Sequence, residues 1–524
     1  MKKQPSGSGR GNIGVSMIND DSRPQCDRCG GFMKSSGRDW RCTTCKHAIV
    51  KITRKSALMD FTLTHGFDTA KATTHARKCE KPVRLLVTSA QHNTDIHTDF
   101  FKTLKQAAKY YKCEIAVIPS HYKNITLFSK KDKKQWDAEI EPYLVHTDIN
   151  FGNLKVKSDV RINATTLFPL SGKQAHGHGK WLVFGHPQVA CEPVASPGGI
   201  HPQKLFTTGS CTLPNYSQTN DGMKAEFHHV IGALIIERTK NGTCFVRQIN
   251  ADDDGSFYDL DLKFTPAGVT SGHRILSIVT GDEHVKFNTV EKVTYGKAGI
   301  VETLKPAYIV RHDVLDGYAG SHHHLNDPVI QFTKHHTGGN DYRRELAEAI
   351  EFINRTTPKN CKTLIVPSNH HDHLKKYLSK ADANLDHQNS LFISEMQIAM
   401  RKAALAGENS DPFYLYCKDK LACKHEFLDR NKPYLLAGVD HAQHGDVGTN
   451  GSRGSAKGLA KTTYKMTVGH SHRACIYQGV FQAGTSTGRL EYEKGLSDHS
   501  NTHVILYNSG KRTLIDIIDG KWRL

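Results

Sequence analysis

Several short apolar runs in the C-terminal half of the chain end in Asp, Asn and His, which are side chains that can bind metal ions or transfer protons. Asp282 and His284 follow the run 275–280, and Asp313 follows the run 307–310. Ligands of an α/β sheet gather at the carboxyl ends of its strands, so these side chains are expected along one sheet edge. A carboxylate in the position of Asp313 can bridge two cations. The spacing therefore indicates metal chemistry.

Three later clusters extend this pattern. In the first of them, an Asn offers a neutral oxygen ligand, and the adjacent His can remain unbound to the metal. The other two clusters contain further imidazoles. Each cluster alone is a weak signal, because an isolated buried His is usually only hydrogen-bonded. The five clusters taken in order predict one composite metal site. The later clusters are Asn369-His370 after the run 364–367, His441 and His444 after the run 435–438, and His470 and His472 before the run 474–479.

The order of these clusters resembles that of the calcineurin-like metallophosphoesterase superfamily, which includes double-strand-break repair nucleases of the Mre type. The resemblance covers about residues 271–490 and implies an α/β fold, in which two mostly β layers form a sandwich flanked by helices. It also implies two divalent ions, for which the mixed oxygen and imidazole ligands suit manganese, with iron and zinc as alternatives. The implied ligands are Asp282, His284, Asp313 and His472 for one ion, and Asp313, Asn369, His444 and His470 for the other.

The resemblance also assigns a catalytic role to His370, which would protonate the leaving oxygen or stabilise its charge. Asp316 and His441 are expected beside the ligands, although a plain surface loop is an alternative for Asp316. His441 also competes with His444 as a ligand, and His444 is preferred because His-Gly is the commoner context in the superfamily. The chain departs from the superfamily pattern at His312, where glycine is usual.

A second metal-ligand pattern lies near the N-terminus. Cys26-x-x-Cys29 and Cys42-x-x-Cys45 are separated by a twelve-residue spacer. Two such pairs of thiolates match the tetrahedral preference of a structural zinc ion, and so short a segment has no other core. We therefore predict a zinc ribbon over residues 24–50.

The remaining chain divides by composition and periodicity. Residues 1–23 are polar and rich in Gly and Ser, which predicts a disordered basic tail. Residues 51–82 are predicted to be helical, with DNA binding and simple packing both open. Residues 83–270 begin with a βαβ pattern and are predicted to form an accessory α/β region. Residues 271–524 are predicted to be a two-metal phosphoesterase domain.

The charge balance favours polyanionic partners. The chain of 524 residues has 70 Lys and Arg against 52 Asp and Glu, a formal charge of +18. From residue 1 to residue 84 there are 17 basic and 7 acidic residues, so more than half of the excess lies there. We find no signal-peptide pattern and no apolar run long enough to cross a membrane, which predicts a cytoplasmic protein without a membrane partner. DNA is the expected partner, and self-association stays open.

Five further stretches lie at 88–91, 207–209, 225–229, 451–455 and 519–523. They resemble phage metallophosphoesterases related to the pre-early DNA-transfer nuclease of T-five-like phages. This likeness spans most of the chain after residue 83 and implies a DNase that destroys host DNA in the cytoplasm of the infected bacterium. We therefore predict a metal-dependent deoxyribonuclease. A phosphatase or phosphodiesterase for a nucleotide or phosphoprotein is one alternative, and a DNA-binding regulator with a vestigial metal site is another. The stretches are TSAQ (88–91), TTG (207–209), AEFHH (225–229), GSRGS (451–455) and DGKWR (519–523).

Overall fold

The computed structural model describes three short N-terminal strands and residues 83–524, except 121, 123–135, 178, 198–200, 322–323, 325 and 491–492. The chain divides into two compact units, Met1–Phe61 and Thr62–Leu524. The first unit contains an antiparallel sheet in the order β1-β2-β3. Its strands are β1 (Met33–Ser36), β2 (Asp39–Cys42) and β3 (Ala48–Val50).

The predicted zinc ribbon and the predicted helices after it cannot be compared with described side chains. Cys42 is the last residue of β2. Cys26, Cys29 and Cys45 lie outside the described residues, as does the segment 51–82. The zinc ribbon therefore stays a prediction.

The second unit is a mixed α/β structure with strands along its whole length. The strands of its first half are β4 (Val83–Gln91), β5 (Glu114–Ser120), β6 (Ile149–Phe151), β7 (Leu154–Lys157), β8 (Trp181–Phe184), β9 (Cys191–Val194), β10 (Ser196–Pro197), β11 (Gln203–Thr207), β12 (Gly232–Arg238), β13 (Cys244–Asn250), β14 (Phe257–Asp259), β15 (Leu262–Thr265) and β16 (Gly268–Thr270). The strands of its second half are β17 (Ser277–Val279), β18 (Tyr308–Arg311), β19 (Lys362–Ile365), β20 (His425–Phe427), β21 (Leu435–Leu436), β22 (Val439–Asp440), β23 (Lys465–Val468), β24 (Cys475–Tyr477), β25 (Val480–Gln482), β26 (Leu496–Ser497), β27 (Thr502–Leu506) and β28 (Arg512–Asp516). Its helices are α1 (Thr98–Tyr111), α2 (Asn220–Phe227), α3 (Glu291–Tyr295), α4 (Ile300–Leu304), α5 (Pro328–Thr337), α6 (Tyr342–Thr356), α7 (Asn369–Lys380), α8 (Ser390–Leu405), α9 (Pro412–Cys417) and α10 (Ala456–Leu459).

Two layers of β-sheet enclose the main core. One layer is a ten-stranded sheet in the order β21-β22-β23-β25-β24-β9-β11-β8-β7-β6. The other contains a four-stranded sheet, β13-β12-β4-β5, and a six-stranded sheet, β20-β19-β18-β17-β27-β28. These two sheets meet where the Gln248 backbone N–H donates to Thr513 Oγ1 at 2.8 Å. Val87, Val183 and Val310 come from the three sheets and belong to one buried apolar cluster.

Helices cover the outer faces of the second layer. Because side chains alternate across a strand, Val87 faces the main core while Leu86 packs with Phe100 of α1 on the other face. On the six-stranded sheet, Ile309 packs in the same way against Leu304 of α4. The expected mixed α/β architecture, with large β-sheets and helices, is therefore confirmed. Within the described part of the chain, no helix has the length and apolar character needed to cross a bilayer.

The ten-stranded sheet contains strands from both regions that the sequence distinguished. Strands β6 to β9 and β11 come from residues 83–270, and strands β21 to β25 come from residues 271–524. The two groups join where Cys191 of β9 pairs with Ile476 of β24. One layer of the sandwich is therefore completed by the region predicted to be an accessory.

Candidate metal centre

The carboxyl ends of two sheets supply the candidate ligands. In the six-stranded sheet, the parallel strands β17, β18 and β19 precede Asp282, Asp313 and Asn369. In the ten-stranded sheet, the parallel strands β22 and β23 precede His444 and His472. The loops that follow these strands in the two sheets therefore lie next to each other, at the carboxyl ends of the strands.

The four residues predicted to bind one ion lie together. Asp282, His284, Asp313 and His472 are buried, and one ligand atom of each lies within 4.8 Å of the others. His284 Nε2 is 3.0 Å from His472 Nε2 and 3.7 Å from Asp313 Oδ2. His472 Nε2 is 3.3 Å from Asp282 Oδ2. The donor atoms are therefore close enough to one another to bind one common cation.

The four residues predicted to bind the second ion also adjoin one another. Asn369 Oδ1 lies 3.1 Å from His444 Nε2 and 3.0 Å from His470 Nδ1. His444 Nε2 lies 3.1 Å from Asp313 Oδ2 as well. Asp313 thus contacts members of both groups, which is the arrangement that a bridging carboxylate requires.

His441, the alternative ligand, is directed elsewhere. Its Nδ1 lies 2.9 Å from the carbonyl oxygen of Val439, and its Nε2 lies 3.5 Å from Ser277 Oγ. Burial lowers the pKa of His441 to about 4. The structure therefore places His444 rather than His441 among the candidate ligands.

The residues present fit divalent cations. Both oxygens of Asp282 and of Asp313 are buried. Their nearest imidazoles are His472, whose Nε2 lies 3.3 Å from Asp282 Oδ2, and His444, whose Nε2 lies 3.1 Å from Asp313 Oδ2. Buried carboxylates of this kind are costly unless a cation compensates them. At Gly469 a Cβ atom would lie 2.2 Å from Asp282 Oδ1, so glycine lets this loop pass close to the carboxylate.

Four candidate ligands have a backbone conformation that is uncommon outside glycine. The φ angles are +34° at His284, +45° at Asp313, +75° at His470 and +57° at His472. Such residues cost on the order of 1–3 kcal/mol each and persist where the surrounding structure determines them. They concentrate at functional sites, so the strain supports a functional role for this centre.

Asp316 connects His370 to the ligand group. The side chain of Asp316 places Oδ1 2.7 Å from His284 Nδ1, and its backbone carbonyl oxygen lies 2.7 Å from His370 Nδ1. The rings of His284 and His370 meet edge to face, with centroids 4.5 Å apart. The His370 side chain is 20% exposed, whereas that of His284 is fully buried. His370 is therefore the histidine of this pair that an incoming molecule can reach.

Buried carboxylates keep protons on two imidazoles when no metal is bound. Burial alone would lower the pKa of His284, but Asp316, Asp313 and Asp282 raise it to about 9. Burial likewise opposes protonation of His444, and mainly Asp313 raises its pKa to about 9. Cation binding must displace these protons, because a metal needs the imidazole lone pair.

Three neighbours of the site were not predicted as site residues. His312 Nδ1 lies 3.1 Å from His444 Nδ1, and burial lowers the pKa of His312 to about 3. His499 Nδ1 lies 2.9 Å from Glu493 Oε1, and the His499 ring lies 5.0 Å from that of His472. His312 had a sequence signal, because the metallophosphoesterase pattern usually has glycine at this position. Glu493 and His499 follow no strand-end cluster, so only their packing identifies them.

Comparison with known proteins gives one informative relative. The chain is 32% identical over 463 residues to Protein A1 of Escherichia phage T5, and the match covers 84% of this chain and 82% of the phage protein. No family model matches the chain, and no solved structure matches it. At this identity and coverage, the chain belongs to the family of the phage T5 Protein A1.

Proposed function

We propose that this protein is a metal-dependent deoxyribonuclease that hydrolyses DNA phosphodiester bonds with two divalent cations. The main support is the buried cluster in which Asp313 adjoins candidate ligands from both sheets. Its carboxylate, amide and imidazole ligands suit manganese, with iron and zinc as alternatives. The formal charge of +18 favours a polyanionic substrate.

Each group of ligands has a defined place in this proposal. When bound, two adjacent cations polarise a phosphoryl group and lower the pKa of a water molecule toward neutrality. Burial excludes bulk water around the ligands, which strengthens electrostatic interactions within the site. The residues that would hold one ion are Asp282, His284, Asp313 and His472, and those for the other are Asp313, Asn369, His444 and His470.

His370 would act as the general acid. Its Nδ1 proton is donated to the Asp316 carbonyl oxygen at 2.7 Å, which fixes the ring and leaves Nε2 to carry a second proton. Protonation of the leaving oxygen from Nε2 would prevent an unstable alkoxide from forming. The partial exposure of His370 allows a backbone phosphate to reach it.

Cleavage assays on the purified protein test this function. Supercoiled plasmid and linear duplex DNA are incubated with manganese, magnesium or a chelator, beside a chromogenic phosphodiester and a chromogenic phosphomonoester. We expect DNA cleavage with manganese and none with chelator or in Asp313→Asn. Hydrolysis of the monoester without DNA cleavage would favour a phosphatase. DNA binding without turnover in protein that carries metal would favour a regulator.

We further propose that the protein acts on host DNA in the cytoplasm of an infected bacterium, with the basic N-terminal segment and its zinc ribbon binding DNA. The phage relative and the N-terminal charge excess support this setting. Cys42→Ser should lower zinc content and DNA affinity while turnover of the small chromogenic diester stays near wild type. Unchanged zinc content and DNA affinity would refute the ribbon and its role.

A further inference from the structure

His312 is a buried histidine directly before the bridging Asp313, where the metallophosphoesterase pattern usually has glycine. Its ring stacks on the ring of His444, with centroids 5.3 Å apart and an angle of 28° between the planes. The two Nδ1 atoms are 3.1 Å apart, which is a hydrogen-bond distance. The imidazole of His312 therefore lies on the Nδ1 side of the candidate ligand His444.

The protonation states of the two rings follow from their contacts. A neutral imidazole carries one N–H and one lone pair. His444 Nε2 faces Asp313 Oδ2 and Asn369 Oδ1, each at 3.1 Å, and is the atom placed to bind a cation. The His444 proton must then be on Nδ1. The 3.1 Å contact is therefore a hydrogen bond donated by His444 Nδ1 to His312 Nδ1.

The His312 ring also lies near Asp282, since one ligand atom each of Asp282, His312 and His444 lies within 4.8 Å of the others. Its Nε2 is buried and has no hydrogen-bond partner among the described residues. Burying an unpaired N–H costs about 1–3 kcal/mol, so an apolar side chain would be the more stable choice. The absent side chain of Gly469 provides space, since a Cβ there would lie 3.1 Å from His312 Cγ. A ring is thus accommodated at a cost in stability, with its hydrogen-bonding atom directed at His444.

We propose that His312 is a positioning residue that holds His444 in the Nδ1-protonated tautomer, with Nε2 directed at the second cation. This rests on the proposed two-cation centre and names a residue that tunes one of its two sites. Such hydrogen bonds to the rear of a ligating His typically contribute 10- to 100-fold in metal affinity. The effect should be largest at the site that contains Asn369, His444 and His470, because the His312 ring makes its hydrogen-bond contact with His444.

Two nearly isosteric variants test the proposal. His312→Asn keeps an acceptor near the position of Nδ1, whereas His312→Leu has similar size and no acceptor. Metal-free wild type and variants are titrated with manganese by calorimetry and by electron paramagnetic resonance, and their thermal unfolding is recorded without metal. We expect two sites in wild type, roughly 10- to 100-fold weaker binding at one site in His312→Leu, and recovery of most of that loss in His312→Asn. His186→Phe, which removes a buried histidine of another region, is the control and should bind both ions normally.

The outcomes separate this role from the proposed function. Equal affinities at both sites in wild type and His312→Leu would overturn the role of His312 and leave the two-cation centre intact. A wild-type protein that binds no ion would contradict both proposals. Equal weakening in the Leu and Asn variants would also overturn the proposal, because it would trace the loss to packing. If the Leu variant does not fold, His312→Ala is titrated in its place, with the same loss at one site expected.

Discussion

The two sheets contribute differently to the metal centre. The six-stranded sheet supplies the oxygen ligands Asp282, Asp313 and Asn369, each shortly after a buried parallel strand. The ten-stranded sheet supplies imidazoles, such as His444 and His470, from loops after β22 and β23. Its imidazoles lie against the carboxylates of the other sheet. His284 is the imidazole that the six-stranded sheet itself provides, and the other imidazoles come from the ten-stranded sheet, so the centre depends on the packing of the two sheets.

Removing the residue that joins the two halves should have the largest effect. Asp313→Ala removes the carboxylate that adjoins His284 from the six-stranded sheet and His444 from the ten-stranded sheet. We expect hydrolysis to fall to background and both ions to be lost, as measured by cleavage assays and elemental analysis. The exposed Asp429→Ala is the control. Two bound ions with normal cleavage in Asp313→Ala would refute the bridging assignment.

Replacing His370 should slow the chemical step without weakening metal binding. His370→Ala should keep both ions and bind DNA about as tightly as wild type, while single-turnover cleavage falls by roughly 10² to 10⁴ because a positioned acid is lost. His444→Ala and His470→Ala should instead lose occupancy and rate together and be rescued in part by excess manganese, because both adjoin Asn369 at the second site. Near-normal turnover in His370→Ala would exclude its proposed role.

The backbone at Gly469 passes so close to Asp282 that a side chain should not be tolerated there. Gly469→Ala would place Cβ 2.2 Å from Asp282 Oδ1, so the loop must move. We expect a loss of about 1–3 kcal/mol in the free energy of unfolding and weaker binding at the site that contains Asp282. Gly479→Ala is the matched control, because its nearest contact is the Lys465 side chain at 3.4 Å. Equal metal affinity in both variants would show that this approach is not required.

The pH dependence should have opposite signs for metal binding and for the metal-free fold. The pKa values of His284 and His444 are raised to about 9 from 6.5. Their contribution to stability is therefore present below pH 6.5 and lost as pH rises through 9. Metal affinity should rise over the same range, by up to about tenfold per pH unit for each displaced proton. Thermal unfolding and calorimetry from pH 6.5 to 9 would measure both, and a flat affinity profile would contradict the proton displacement.

Local features of this protein could be predicted from its amino-acid sequence. The βαβ pattern at the start of residues 83–270 corresponds to β4, α1 and β5. The apolar runs before Asp282, Asp313 and Asn369 likewise predicted β17, β18 and β19. Ligand type and spacing predicted one composite metal site, because an acid or imidazole directly after a buried strand is held at the sheet edge. The division of the candidate ligands into two groups came from the metallophosphoesterase resemblance.

The way in which these local features combine depends on long-range packing. Sequence context favoured His444 over His441, but the choice depends on the direction of each side chain after β22, which periodicity does not report. Packing also brought His312 behind His444 and completed the ten-stranded sheet with strands from residues 83–270. These contacts join residues more than a hundred positions apart, so they follow from the way the sheets pack rather than from any local pattern.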